Sequence, residues 1–205
     1  MARDRESKCK RCRTLNVKLF LKGERCYTDE CGLEKRKPAR FRGRRRLSRY
    51  GQQLKEKQKV KWKYGMLEGQ FKRWYRMAEK SSNITGEELL RLLERRLDNV
   101  VYRLGFSFSR SQARQLVNHG HFLVNGRAVN IPSYLIKEGD VVEVKDKSKK
   151  LPLMKQILKV SQKKTLTGWL ERDKKSLKGM VKRFPLPEEL DQEIDLPLIV
   201  EYYSR

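Results

Sequence analysis

Residues 96–129 read RLDNVVYRLGFSFSRSQARQLVNHGHFLVNGRAV, and this stretch decides the fold. Its first part continues an apolar stripe that starts at Leu89 and runs through Leu92, Leu93, Leu97, Val100, Val101 and Leu104. Apolar residues recurring three and four apart share one face of a helix. Thr85 with Glu88 offers a capping box at its start, and Gly105 a stop. Ser109 with Gln112 caps a second helix, with Ala113, Leu116 and Val117 as its buried stripe and Gly120 at its end. Arg110, Arg114 and Asn118 follow one another at four-residue steps, which predicts them together on the face away from the core. Residues 122–129 then read as a hairpin, because Asn125-Gly126 suits the two positive-φ positions of a type I′ turn. Pro132 ends its second strand, and Gly139-Asp140 turns the chain into a third, at 141–144. Helices followed by short, mainly antiparallel strands give an α+β fold.

Downstream, Leu153, Met154, Ile157, Leu158 and Val160 predict an amphipathic helix over 153–163, followed by strands near 167–170 and 180–184. Upstream, Ser48 is placed to cap a helix through Tyr50, Leu54 and Val60, which Gly65 interrupts. A second helix carries Met66, Leu67, Phe71, Trp74, Tyr75 and Met77. Aromatics at this spacing belong to a core more often than to a base-stacking platform. The chain therefore divides into a cysteine-bearing basic arm (1–47), a helical region (48–83), an α/β region (84–183, with its module at about 96–146) and a tail (184–205).

Charge narrows the function. The 205 residues hold 50 Lys and Arg against 25 Asp and Glu, a formal net charge of +25. Such a field attracts polyanions and releases their counterions on binding. Residues 1–80 carry 27 of the basic and 9 of the acidic groups, whereas the last 22 carry six acids and a single Arg. No apolar run is long enough to cross a membrane, and the N-terminus lacks a signal-peptide core, which leads us to expect a cytoplasmic protein without a membrane partner. The candidate nucleic-acid contacts are Arg36, Lys37, Arg40, Arg42, Arg44, Arg45, Arg46 and Arg49 in an extended arm, then Lys55, Lys59, Lys61, Lys72, Arg73 and Arg76 on the helices. Glu188, Glu189, Asp191 and Glu201 in the tail would be repelled by phosphate. With the apolar residues between them, they suit packing on the 48–77 helices and an outer acidic face for a basic protein neighbour.

Cys9, Cys12, Cys26 and Cys31 follow the spacing C-x2-C-x13-C-x4-C. Two short pairs on a loop suit tetrahedral thiolate coordination. A structural Zn2+ is the expected occupant, with an iron–sulfur cluster as the alternative for so soft a ligand set. Disulfides are disfavoured in a reducing cytosol. Lys8, Lys10, Arg11 and Arg13 are expected to lower the thiol pKa values. Four protein ligands leave no open position for metal catalysis.

The segments RLDNVVYRLGF, SRSQARQLVNHGHFLVNGRAVNIPS and GDVVEV resemble the RNA-binding module named after ribosomal protein S-four. The helical stretch SRYGQQLKEKQKVKWKYGMLEGQFKRWYRM, the short TGWLERD and the ending LIVEYYSR extend the likeness nearly end to end, to the four-cysteine, zinc-bearing form of that bacterial small-subunit family. The resemblance implies two helices packed on a small sheet, with Ser109, Arg110, Gln112, Arg114, Asn118, His119 and Asn125 on the RNA-contacting face. It further implies early binding at a junction in the 5′ domain of small-subunit ribosomal RNA, nucleation of the subunit body, a place near the messenger RNA entry channel beside ribosomal proteins S-three and S-five, and an influence on decoding accuracy. No small-molecule substrate is implied.

Two rival functions fit the sequence less well. A pseudouridine synthase can carry this module and place its catalytic acid in an Arg-Leu-Asp tripeptide, as at Arg96-Leu97-Asp98, but Asp98 falls in a Leu-rich helix where it suits an arginine partner. A small module that recycles stalled ribosomes would not need the first 80 residues. No phosphate-binding Gly-rich loop and no Ser/His/Asp constellation is present, and the two histidines, His119 and His121, leave little room for general-base chemistry.

Overall fold

The computed structural model describes residues 6–35, 47–161, 165–173 and 177–204. In chain order these form α1 (Lys8–Leu15), α2 (Arg49–Lys63), α3 (Glu68–Glu79), α4 (Thr85–Glu94), α5 (Leu97–Arg103), α6 (Arg110–Asn118), β1 (Phe122–Val124), β2 (Arg127–Ala128), β3 (Val141–Val144), α7 (Asp146–Lys149), α8 (Pro152–Ser161), β4 (Leu170–Arg172), β5 (Lys178–Val181) and α9 (Leu196–Tyr203). Two compact units result, one from residues 1–89 with 192–205 and the other from 90–191.

In the first unit Ser48 caps α2 by accepting from the Gly51 amide at 3.2 Å, and Gly65 at φ +64° ends the passage after it. One face of α3 buries Phe71, Trp74, Tyr75 and Ala78, so its aromatics are core. The C-terminal residues form α9, with Pro197 in its first turn and Asp195 as cap. This helix lies on α2: Tyr202 meets Tyr50 with ring centroids 5.8 Å apart, and the Lys57 ammonium sits 4.3 Å from the Tyr202 centroid. A small separate cluster of Cys12, Leu15 and Leu19, flanked by Val17, Leu21 and Trp62, closes the cysteine segment against α2.

The second unit is an antiparallel sheet in the order β2-β1-β3-β5-β4, with α5 and α6 sharing its core. The hairpin has the expected geometry, with Asn125 at φ 50° and Gly126 at φ 75°. Alternation buries Phe122 and Val124 on β1 and Val142 and Val144 on β3, beneath Leu97, Val100, Val101 and Leu104. Gly179 on β5 is needed where it stands, because a Cβ there would lie 2.5 Å from Leu104 Cδ2 and 3.0 Å from the Glu171 carbonyl oxygen.

Four expectations change. The stripe from 85 to 104 is two helices rather than one, because Arg96 adopts an extended ψ of 136° and bridges to Leu135. The Leu97 and Asp98 amides donate to the Tyr134 and Pro132 carbonyls instead of completing helical turns. The capping box at Thr85 is displaced: Glu88 N–H donates to the Ile84 carbonyl, and the Glu88 carboxylate accepts from Asn83 at 3.1 Å. The last two strands are shifted by about three residues, to 170–172 and 178–181. The tail is also divided, with residues 184–191 in the second unit and 192–204 in the first.

Candidate RNA interface and metal centre

The four cysteines are all reduced, and together they line one pocket with Lys22, Arg25, Gly32 and Leu33. Cys9 and Cys12 come from α1, and Cys26 closes the 3-10 turn Gly23–Cys26. The Lys22 amide donates to Cys26 Sγ at 3.3 Å, and the Leu19 amide donates to Cys12. Such N–H···S bonds favour thiolates. Cys12 nonetheless has its thiol pKa raised, first by burial and then by the other three cysteines. The expectation that nearby cations would lower it is therefore overturned for this residue. Arg11 lies buried over the Trp62 ring, 5.3 Å from its centroid. Among the described residues, no three or more Cys, His, Asp or Glu side chains are gathered as a closed metal cage. The donor types, the shared pocket and the N–H···S bonds fit a soft divalent cation.

The cationic candidates fall into distinct groups. Arg36, Lys37, Arg40, Arg42, Arg44, Arg45 and Arg46 lie outside the described residues. On α3, Lys72, Arg73 and Arg76 are exposed on the face opposite the aromatic core. On α2, Lys55 is half-buried. Several others are engaged within the unit. Arg49 makes a two-pronged bond to Glu201, at 3.2 and 2.7 Å. Lys59 is buried against Glu56 and the Glu193 carbonyl. Lys61 and the buried Lys57 both donate to Glu68, at 2.9 and 2.6 Å, and Tyr203 Oη adds a third donor at 2.8 Å. Partial burial alone would raise the Glu68 carboxyl, but these three bonds outweigh it and hold it at about 2. Burial and that same carboxylate push the Tyr203 phenol up.

Arg110 and Arg114 do not share an outward face with Asn118. They turn instead toward α5, which carries Asn99 and Asp98. Arg114 is buried with Nη1 3.5 Å from Asp98, and Asp98 is also held by both prongs of Arg96, at 3.1 and 2.7 Å. An acid so enclosed pairs charge, in keeping with the non-catalytic reading of Arg96-Leu97-Asp98. Arg110 Nε donates to Asn99 Oδ1 at 2.8 Å, and its guanidinium lies 4.6 Å over the Tyr102 ring. Ser109 accepts from the Gln112 amide at 3.3 Å. Gln112 completes the cap one residue early, accepting from Phe108 N–H rather than from Ser109. Asn118 and His119 are exposed at the C-terminal end of α6. His121, bonded to Ser148 at 2.9 Å, has its pKa lowered by burial and then by His119 and Lys145. Asn125 fastens the turn, donating to Asp140 and accepting from Val141 N–H, both at 2.8 Å.

Of the four acidic tail residues, Glu201 and Glu189 are likewise spent internally. Glu201 holds Arg49 and Gln53, and Glu189 is clamped by Arg183 at 2.6 and 3.0 Å. Glu188 is exposed and Asp191 half-buried. Sequence reasoning missed Glu94, Asn99 and Arg103 altogether. Glu94 is buried and accepts from Asn99 and, twice, from Arg103, at 2.8 Å each. These residues meet only because the helix breaks at Arg96, so no periodicity announces them.

Residues 3–94 match the family profile "Ribosomal protein S4/S9 N-terminal domain", and residues 95–142 match "S4 domain". The junction of the two matches coincides with the break between α4 and α5. Over 208 residues and the whole of both chains, the protein is 51% identical to "Small ribosomal subunit protein uS4" of Pelotomaculum thermopropionicum and 52% identical to that of Ruminiclostridium cellulolyticum. Over 96% of each chain it is 55% identical to the uS4 of Caldicellulosiruptor saccharolyticus. With such identity sustained over the full length, and with an S4-type module at its centre, the chain belongs to the uS4 family of small-ribosomal-subunit proteins, a structural and non-enzymatic family.

Proposed function

We propose that this chain, as a uS4 constituent of the small ribosomal subunit, binds the subunit's RNA early, at a junction in the 5′ domain, and helps nucleate the body of the subunit. The observation that carries this reading is the division of labour on α3. One face is locked into the core by Phe71, Trp74 and Tyr75, and the other offers Lys72, Arg73 and Arg76 to solvent. A rigid helix presenting cations seats a phosphate backbone, while the shape of the RNA junction supplies selectivity. The same reading places messenger RNA and ribosomal proteins S-three and S-five nearby, with an influence on accuracy. The exposed Glu188 is the remaining candidate for a basic protein neighbour.

Cys9, Cys12, Cys26 and Cys31 would hold one structural Zn2+, which crosslinks a segment too small to fold by apolar burial. The support is the donor set, its pocket and the amides aimed at two of the sulfurs.

Affinity of the full chain for a 5′-domain transcript should fall steeply with salt, and K72A/R73A/R76A should flatten that slope by roughly 2–3 in log–log units. A triple variant with the wild-type slope would remove α3 from the interface.

A further inference from the structure

We propose that Asn125-Gly126 is a self-modification site: Asn125 deamidates when the hairpin between β1 and β2 opens, and the carboxylate it then carries keeps the turn from closing again. The proposal concerns the sheet of the second unit and stands apart from the RNA-binding reading.

Asn125-Gly126 is the single Asn-Gly step in the chain. At such a step a backbone nitrogen attacks the side-chain amide most readily, because glycine has no Cβ to hinder the approach. Both residues are exposed, and apart from the chain neighbours no atom lies within 4 Å of where a Gly126 Cβ would stand. The chemistry needs only water. The Gly126 nitrogen bonds to Asn125 Cγ, the Cγ–Nδ2 bond breaks, and ammonia leaves with the proton of the Gly126 amide. Water then opens the cyclic imide at one of its two carbonyls, giving aspartate or isoaspartate.

The structure adds a lock to this chemistry. Asn125 Oδ1 accepts from Val141 N–H and Asn125 Nδ2 donates to Asp140 Oδ1, both at 2.8 Å. Asn125 N–H donates to the Val141 carbonyl at 2.9 Å. The two side-chain bonds hold the carboxamide against residues 140–141, and both must break before Cγ swings onto the Gly126 nitrogen. Reaction therefore waits on local opening.

The same contacts make the change one-way. Asp140 is 8% exposed, and its other oxygen accepts from Lys137 N–H at 2.7 Å, so its carboxylate is fixed in place. Once oxygen replaces Nδ2, two carboxylates face each other where one hydrogen bond stood, and like charges at that separation repel. Isoaspartate lengthens the main chain within a two-residue turn whose φ values of 50° and 75° suit type I′. The loss falls on the sheet's edge. Strand β2 pairs with β1 alone, so an opened turn releases β2 while β3, β5 and β4 keep their register.

The test uses the full chain in mildly alkaline buffer, folded or in denaturant, with residue 125 followed by peptide mass spectrometry. In denaturant, Asn125 should react ahead of every other asparagine, and folding should slow it by at least about tenfold. Equal rates in the two states overturn the lock, and no preference for Asn125 in denaturant overturns the site. Substitution tests the one-way step. N125D should lower the melting temperature of the second unit by roughly 5–10 °C, the scale of losing a hydrogen bond to a charged group. N125D/D140N keeps the wild-type net charge and exchanges donor for acceptor. The carboxylate at 125 still accepts from Val141 N–H, the amide at 140 donates to it, and the amide oxygen still accepts from Lys137 N–H. The double variant should melt within about 2 °C of wild type. Wild-type melting by N125D, or a double variant as unstable as N125D, overturns the repulsion from Asp140.

Discussion

Around the cysteines, the first unit buries Cys12, Leu15 and Leu19, with Val17, Leu21 and Trp62 at the edge. Between α5, α6 and the sheet, the second unit buries a contiguous set that includes Val100, Leu104, Phe106, Val117, Phe122, Val142, Met154, Ile157 and Trp169. The first cluster is too small for apolar transfer to offset the conformational entropy of the thirty described residues 6–35. The second is of the size on which a domain of this length can stand. The contrast teaches that the period of apolar residues encodes the second fold, whereas the first segment needs some further constraint, which the proposed metal would supply.

The most direct way to break this contrast is to remove the metal we propose. Chelation, or Cys12→Ser, should unfold the cysteine segment and leave the module's amides protected from exchange. Binding free energy there stands in for folding free energy, on the order of 10–16 kcal/mol for four-ligand zinc peptides near neutral pH. Because the Cys12 thiol is pushed up by burial, its proton must leave for the metal to bind, and affinity should weaken as pH falls. Hydrogen exchange with zinc analysis checks both points; an unchanged exchange pattern after complete metal removal would show that the small apolar cluster suffices.

The reciprocal experiment attacks the module through its packing. Gly179→Ala puts a Cβ against the buried Leu104 and the Glu171 carbonyl, neither of which is the free end of a flexible surface chain. Overpacking of this kind costs about 1–3 kcal/mol. Denaturant unfolding should show that loss in the second unit while zinc content stays at wild type. A change below about 0.5 kcal/mol would mean that the sheet moves to admit the methyl more easily than its contacts imply.

Legibility in the sequence follows the same contrast. The hairpin was readable because Asn125-Gly126 demands positive φ, and α2 and α6 because Ser48 and Ser109 are strong caps. The gathering of the four cysteines around one pocket was readable from their spacing. The break at Arg96 was not, since an unbroken leucine stripe conceals it and only the distant Leu135, Tyr134 and Pro132 impose it. That one break also explains the misplaced arginines: it sets α5 beside α6, so Arg110 and Arg114 meet Asn99 and Asp98 instead of water. Helical spacing names a face without saying what lies opposite. The outward lysines and arginine of α3 were legible because their own helix carries the aromatic face that fixes them.

The smallest effect we predict sharpens the comparison within the first unit, where α9 is held by polar contacts as well as rings. Tyr203 packs on Tyr75 at 4.5 Å and gives its hydroxyl to Glu68. Tyr203→Phe keeps the ring and deletes one of three donors to a partly exposed carboxylate, so stability should fall by only about 1 kcal/mol. The pH dependence is the more telling readout. Glu68 is held down at about 2 from an ordinary value of 4.5, so its contribution is complete above about 4.5 and is lost as pH falls through about 2. Removing the Tyr203 bond should move the folded value up toward 4.5 and shift the acid loss of α9 contacts to higher pH. Carboxyl NMR titration of Glu68 in the two proteins measures this directly. Identical midpoints would assign the depression to Lys57 and Lys61 alone and leave Tyr203 as a packing residue.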